Sequence, residues 1–574
     1  MSTSMTPRSD PVTDSSANAA SDPPLSNRAL LAVFAVLMLA AAVPLFLVDV
    51  VPLANMPNHM ARIRILAEIG QDQALAGSYR LNWGLQPNLA VDLLLTPLAG
   101  FVAPLELGRW FTLLCMLTLA GGTLAAYRAI NGRLDLWPAA LFMFMFNHVL
   151  IWGFLNFLFG LGLGLAGFAA WIATADRAGW RRTALFAIGG IAMFFVHLMA
   201  LGIYGIMVGA WEVGRTRDRW PDWKGLARDW ILGAAQFLPA FALFIVALPP
   251  RVRDSEWIWG DPIVRIRGIL SPMITNFSAE DFLPILFVAV VLLICLPMRW
   301  LRPARGMTLP ILALMAIALA APFWVYGRFG GVWGLDVRLW VAFAFLASAG
   351  LRYTGPRRAG VIIAVASVVV FGARIYQIAD DWRDYDRQIA EYRAAAAVFK
   401  PGERILQAQD AGTPVAGEPG AFRDIYYHFT NFSVLDRSVF LPTLFTDPMK
   451  QPIVAAPHLR EIDTPVGLPI SAGGLRAWAD PALFDWFESD IVVGDQRNYG
   501  FMWQDRFDYV VLVHGGEAEN PVPELLEPVS TGSYFMIFRV LRGGCTGDYP
   551  NACERLRAEG RNWEIPAPNM APQN

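Results

Sequence analysis

Charge is what this chain has least of. Only 16% of its 574 residues are Asp, Glu, Lys or Arg, 55% are hydrophobic, and the mean hydropathy is +0.41. An ordinary soluble domain carries about 25% charged residues, so that class is excluded and a polytopic α-helical membrane protein is indicated. The formal net charge of -2 offers no basic surplus, and nothing in it points to a nucleic-acid partner. A basic leader is also missing. Residues 1–27 are rich in Ser, Asp, Pro and Ala without periodicity, which reads as a disordered cytoplasmic tail rather than a cleaved signal peptide. Cysteine is scarce: of four, Cys115 and Cys295 lie inside apolar runs, and Cys545 and Cys553 bracket TGDYPNA near the C-terminus.

What is present is a series of apolar segments. A span needs about 20 mostly apolar residues, fewer where neighbours protect its ends. About eleven segments qualify, near 29–48, 109–127, 137–150, 153–174, 183–197, 198–213, 230–249, 282–298, 307–325, 337–351 and 359–376, with 183–213 alternatively one long helix. Lys and Arg in alternate short loops set the orientation. Arg128 and Arg133, then Arg177, Arg181 and Arg182, then Arg215 to Arg228, and finally Arg299 to Arg305 and Arg352 to Arg358 share one side if the N-terminus is cytoplasmic. This requires 88–104 not to cross, and Asp92, Pro97 and Pro104 suit a juxtamembrane or re-entrant helix there.

The resulting expectation is a multi-pass protein of the cell (inner) membrane. A transmembrane domain over 28–376 carries an outer loop at 49–108, and an extracytoplasmic α/β domain fills 377–574. An oxidising compartment would join Cys545 to Cys553; the alternative is two free thiols. In the tail, 381–399 has helical spacing, and 403–409, 507–513 and 534–541 read as strands. No phosphate-cradling glycine motif, nucleophile elbow or metal-spaced His/Cys cluster occurs there, so that domain reads as a binding or structural unit.

The residues with chemical potential cluster around the first span. It ends in Asp49, and ionisable groups at a membrane edge are costly enough to count as functional candidates. In 57–71, Met60, Ile63, Ala67 and Gly70 share one helical face and leave Asn58, His59 and Arg62 on the other, the pattern of an interfacial helix. His148 and His197 fall at outer helix ends in the same topology. Three histidines and Asp49 at one level suit a divalent cation such as Mg or Mn, or a phosphate; each histidine alone is equally a satisfied bundle residue. Outer arginines, including Arg328 and Arg338, suit bidentate phosphate recognition or, equally, local pairing with Asp254, Glu256, Asp261 and Asp336, and Trp257, Trp259, Trp333 and Trp340 suit interface anchoring or stacking on a sugar ring. The glycines of 155–167 fit close helix packing.

At this point the chain resembles the GT-C superfamily of membrane glycosyltransferases, such as protein mannosyltransferases and the aminoarabinose transferase of lipid A. The likeness rests on a first span ending in an acid, a long outer loop with juxtamembrane helices, and the stretch 86–129; PNHMAR (57–62) is similar to a PNHLAR-like motif of membrane proteins of this type, where an acid usually precedes it. Here Asn55-Met56 stands at that place. The resemblance implies a polyprenyl-phosphate-linked sugar as donor, an acceptor presented outside, inversion at the anomeric carbon, and Asp49 as catalytic residue, with His59, Arg62, Arg328 and Arg338 toward the donor phosphate. Two alternatives stand beside it: a catalytically silent GT-C-like scaffold assembling envelope or polysaccharide proteins through its C-terminal domain, and a lipid-linked substrate transporter.

Overall fold

The computed structural model describes residues 26–177, 179–216, 223–248, 256–275, 281–326, 332–410, 424–464, 467, 469–479, 498–515 and 518–541. Most of residues 1–27, Arg251, Arg253, Arg328, Cys545 and Cys553 lie outside them, and with them the expected disulfide. The described chain is mostly helical. The first helix, α1 (Asn27–Ala42), ends in a 3-10 turn (Val43–Phe46) opened by Pro44. The loop expected at 49–108 holds α2 (Met56–Glu68), α3 (Gln73–Ser78), β1 (Tyr79–Leu81) and α4 (Ala90–Leu95). Then come α5 (Pro104–Asn131), α6 (His148–Ile151), α7 (Leu155–Ala173), α8 (Trp180–Val196), α9 (Leu198–Thr216), α10 (Trp223–Ala235) and α11 (Leu238–Ala247). They are followed by β2 (Glu256–Ile258), α12 (Pro262–Leu270), α13 (Phe282–Cys295), β3 (Leu301–Pro303), α14 (Thr308–Ala320), β4 (Trp324–Tyr326), β5 (Val332–Trp333), α15 (Leu335–Gly350) and β6 (Leu351–Tyr353).

Four helices are long and apolar enough to cross a membrane, namely Asn27–Phe46, Pro104–Asn131, Leu155–Ala173 and Arg357–Val398, and a fifth span results if the pair Trp223–Ala235 and Leu238–Ala247, bent by 42°, is counted as one. This corrects the expectation of about eleven full spans. The other apolar segments form shorter or broken helices: 137–150 is a 3-10 stretch plus one turn of α-helix, and 183–213 breaks at His197, whose backbone is extended. Segment 88–104 forms only the six residues of α4 and a 3-10 turn, and no helix long enough to span.

Small residues set the closest helix crossing. A Cβ on Gly122 of α5 would meet the Gly162 carbonyl of α7 at 2.3 Å, and one on Gly162 would meet Thr118 at 2.5 Å. The expected packing role of the 155–167 glycines therefore holds.

Helix ends sort into two tiers. At one, Arg109 donates to the carbonyls of Val48 and Asp49, Leu89 N–H to Phe195, Leu198 N–H to Asn88 Oδ1, and His148 N–H to Ser271. At the other, β3 pairs antiparallel with β6, and Arg182 caps the Trp171 carbonyl. The loops containing Arg177 to Arg182, Arg299 to Arg305 and Arg352 to Arg358 flank these contacts of the second tier.

The last apolar segment and the helix expected at 381–399 are one element, α16 (Arg357–Ala395), so the boundary placed at 376/377 falls inside a helix. Its first half is exposed and apolar, whereas in its buried second half Trp382 packs on Phe146 of the bundle, and Tyr385 and Tyr392 pack on Tyr426, Phe429 and Phe535 of the C-terminal domain. That domain contains β7 (Ile405–Gln409), α17 (Asn431–Arg437), β8 (Ile453–Ala455), β9 (Ile470–Ser471), β10 (Tyr509–Val513), β11 (Leu526–Thr531) and β12 (Phe535–Val540). The sheet order is β11-β12-β10-β7-β9, with β7 parallel to β10 and β9 and with β12 antiparallel to β10 and β11. The three strands expected from sequence are β7, β10 and β12.

Candidate functional site at the junction of bundle and domain

Helix α2 is not the half-exposed interfacial helix its periodicity suggested. It is closed in on both sides, with Asn58, His59 and Arg62 0%, 7% and 1% exposed. Its apolar face meets α5, where Met56 and Met60 fill the space left by Gly108. Its polar face meets the domain. Asn58 Oδ1 accepts from Phe445 N–H at 2.9 Å, and Arg64 donates to the Val434 and Leu435 carbonyls and to Ser438 Oγ. The polar side read from sequence as facing water or substrate is thus largely a docking face for protein.

Arg62 is held by Asp92 of α4, with Nε to Oδ1 at 2.5 Å and Nη2 to Oδ2 at 3.0 Å. Asp92 is 0% exposed. Arg62 Nη2 also lies 3.0 Å from His59 Nδ1. A guanidinium only donates, so Nδ1 accepts and the proton sits on Nε2. The ring's N–H then donates to the Gly153 carbonyl. Burial, with the Arg62 charge behind it, holds His59 well below the usual histidine range, which matches a neutral ring. Gly153 itself has φ +73°, and a Cβ there would stand 3.1 Å from Asn55 N, so only glycine fits this turn. Asp92, Arg62, His59 and Gly153 form one chain of charge-assisted and neutral hydrogen bonds.

That chain ends beside Trp152. Its ring lies 4.3 Å from Trp333 of β5 and 5.9 Å from Tyr427 of the domain, and all three are half-buried. Asn55, 3% exposed and backed against Gly153, has an Oδ1 with no hydrogen-bond partner. An aromatic shelf beside a buried, unsatisfied acceptor has the composition of a polyol-binding surface. Trp333 was singled out from sequence; Trp152, Tyr427 and Asn55 were not, because three separate segments meet here.

Arg338, at the start of α15, is the most unusual charge. Its guanidinium lies 4.1 Å over Phe154 and 5.9 Å from Phe157, its Nε has no acceptor, and no carboxylate pairs with it among the described residues. His197 shares this pocket with its ring 5.3 Å from Phe157. Its Nδ1 receives the Ala200 N–H at 3.4 Å, so it caps α9. His148 Nδ1 faces the Thr275 carbonyl at 3.4 Å. Both are bundle histidines with structural tasks.

Asp49 stands apart. It is exposed, and its N–H and that of Val50 donate to Asp386 of α16, each at 2.9 Å, which ties the end of α1 to the domain-bearing helix. Among the described residues no hydrogen bond or ion pair joins its carboxylate to His59 or Arg62; its charge reaches Arg393. The expected cation set of Asp49, His59, His148 and His197 does not converge either, since no group of three or more His, Cys, Asp or Glu within the described residues is placed to hold a metal. The spacing that put them at one level says nothing about lateral separation. Trp257 lies in β2 at 6.1 Å from Trp259, both half-exposed, and Trp340 is buried in α15.

Two buried groups in the domain titrate in opposite senses. Burial pushes His428 down to about 3, and Asn58 Nδ2 faces its Nδ1 at 3.4 Å. Burial pushes Asp463 up to about 7 against the Thr446 hydroxyl that donates to it at 2.7 Å. Below pH 6.5 the unfolded histidine gains a proton that the buried ring does not, so His428 destabilises the fold as pH falls. Asp463 stays protonated in the fold while the unfolded carboxyl ionises, so its contribution is full below pH 4 and is lost as pH rises toward 7. The two nearly offset between pH 7 and pH 5. Asp463→Asn removes one side: the variant should lose about 2 kcal/mol from His428 alone between pH 6.5 and pH 5, read by chemical unfolding of the domain. A flat profile in that variant would show that His428 titrates normally.

No known protein family's sequence profile matches this chain, and no curated protein matches it.

Proposed function

We propose that the protein is an integral membrane glycosyltransferase of GT-C type, moving a sugar from a polyprenyl-phosphate donor to an acceptor at the helix tier that carries the α/β domain. Arg338 carries this reading. An uncompensated, largely desolvated guanidinium is costly, and an anionic ligand that supplies the missing charge removes that cost. A lipid-linked phosphate reaches such a site from the bilayer. The Trp152, Trp333 and Tyr427 shelf then receives the sugar. In the transfer the acceptor hydroxyl oxygen bonds to the anomeric carbon, the bond from that carbon to the phosphate oxygen breaks, and polyprenyl phosphate leaves with the electron pair. Asp49 takes the hydroxyl proton, and Arg338 neutralises the leaving phosphate. No step is routed through a divalent cation, since Asp49, His59, His148 and His197 form no ligand group among the described residues.

In this reading the shorter and broken apolar helices pack with the four long ones in one membrane bundle. The arginine-rich tier is cytoplasmic and the domain extracytoplasmic, in agreement with the charge bias of the loops. The juxtamembrane elements α2 to α4 between α1 and α5 support the GT-C comparison.

The scaffold reading has one specific observation in its favour: Asp92, Arg62 and His59 bond one another, with Arg62 Nη1 left without a partner among the described residues, and none of them bonds Asp49. Donor binding separates the two. Purified protein in lipid nanodiscs should bind polyprenyl-phosphate mannose or glucose, and Arg338→Ala should weaken that binding about tenfold or more, the size of a charge-assisted phosphate contact. Binding unchanged by Arg338→Ala would remove the donor site from this place, and binding without turnover over a panel of acceptors would favour the scaffold.

A further inference from the structure

The tier opposite the domain holds a groove that the proposed chemistry does not use. It has a volume of about 510 Å3 and lies between the start of α8 and the face of α10, lined by Lys224 and Arg228, by Trp180 and Trp223, and by Leu232 and the 67% exposed Ile231. Trp180 and Trp223 are 69% and 66% exposed. Each carries a cation on its ring, Arg181 at 5.6 Å from Trp180 and Lys224 at 5.7 Å from Trp223.

Helical spacing places Lys224, Arg228 and Ile231 in one row, at i, i+4 and i+7. Charge sits at the helix start and apolar surface deeper along it, so the groove is graded from head group to hydrocarbon. No ion pair within the described residues neutralises Arg181, Lys224 or Arg228. The adjacent acid, Asp229, is felt by Arg182 on the other side of α8, together with Glu212, and lies outside the groove lining. Two lining cations with no ion pair among the described residues, Arg181 beside Trp180, two amphipathic indoles and an open aliphatic strip match one kind of occupant.

We infer that this groove is a seat for an anionic glycerophospholipid of the leaflet facing that tier. Its phosphate sits between Lys224 and Arg228, its glycerol backbone on the two tryptophans, and one acyl chain runs along Ile231 and Leu232. A zwitterionic lipid fits the aliphatic strip equally well but brings a choline against Lys224 and Arg228. The distinction is therefore electrostatic, with about fivefold in affinity for each cation at an anionic membrane surface. The inference is independent of the glycosyltransferase reading.

Native mass spectrometry of the detergent-solubilised full chain, titrated with phosphatidylglycerol or phosphatidylcholine, tests it. Wild type should retain one phosphatidylglycerol at least tenfold more tightly than phosphatidylcholine. Lys224→Gln with Arg228→Gln should lower phosphatidylglycerol affinity about twenty-five-fold and leave phosphatidylcholine unchanged. Arg302→Gln with Arg352→Gln, at the β3–β6 turn of the same tier, should leave the preference intact. Equal affinity for the two lipids in wild type, a preference that survives the Lys224/Arg228 change, or equal loss in the Arg302/Arg352 control each overturns the assignment. If the double variant does not fold, Lys224→Gln and Arg228→Gln singly carry the same test at about fivefold each.

Discussion

Asp92→Ala should cost about 3–5 kcal/mol of stability, because it strands the Arg62 guanidinium at 1% exposure with no counter-charge. The loss should be much larger than for an exposed pair such as Arg539 and Glu527, which water screens. The damage should also travel. With Arg62 unanchored, His59 loses the donor that fixes its tautomer, and the Gly153 turn loses the hydrogen bond that holds Trp152 in place. Replacing both partners, Arg62→Met with Asp92→Leu, should recover most of the stability, since a buried ion pair exchanged for apolar groups of similar size is near neutral. Thermal unfolding in detergent measures this, with near-ultraviolet circular dichroism reporting the Trp152 and Trp333 packing. A loss below about 1 kcal/mol for Asp92→Ala would mean that Arg62 finds another partner or reaches water.

The largest effect on turnover is expected at Asp49. Asp49→Asn keeps the side chain's size and polarity and leaves untouched the backbone amides that bind Asp386, so the protein should insert, fold and bind donor as wild type does. It cannot accept a proton, and turnover of polyprenyl-phosphate sugar should fall about a hundredfold or more. Asp386→Ala is the matched structural control: it removes the acceptor of two amides and should lower stability by about 1–3 kcal/mol, with a smaller effect on chemistry in the folded fraction. Full turnover by Asp49→Asn would take this carboxylate out of the mechanism. The geometry then leaves Asp92 as the buried acid of the junction, already committed to Arg62.

The sequence alone determined the helical, apolar character compatible with a membrane protein, the position of the apolar segments, the absence of a long helix over 88–104 and the three strands of the domain. Each depends on composition or on a local period of 2 or 3.6 residues, which a linear reading can count. It also placed Asp49 at the end of α1 and Arg338 at the start of α15 correctly along the chain. It misjudged α2, because a helix with one apolar and one polar face looks the same whether the polar face meets water or the Asn58- and Arg64-bonding loops of a domain some 370 residues later. It treated Asp92 as a helix-position marker, since nothing within ten residues of Asp92 reveals Arg62 as its partner. The lateral separation of Asp49, His59, His148 and His197, the meeting of Trp152 with Trp333 and Tyr427, and the absence of any carboxylate paired with Arg338 among the described residues were decided only by tertiary structure. Those are relations between elements. Their free energies come from burial and charge pairing across contacts of long sequence separation, and the chain's local pattern carries no record of which surface each side chain will meet.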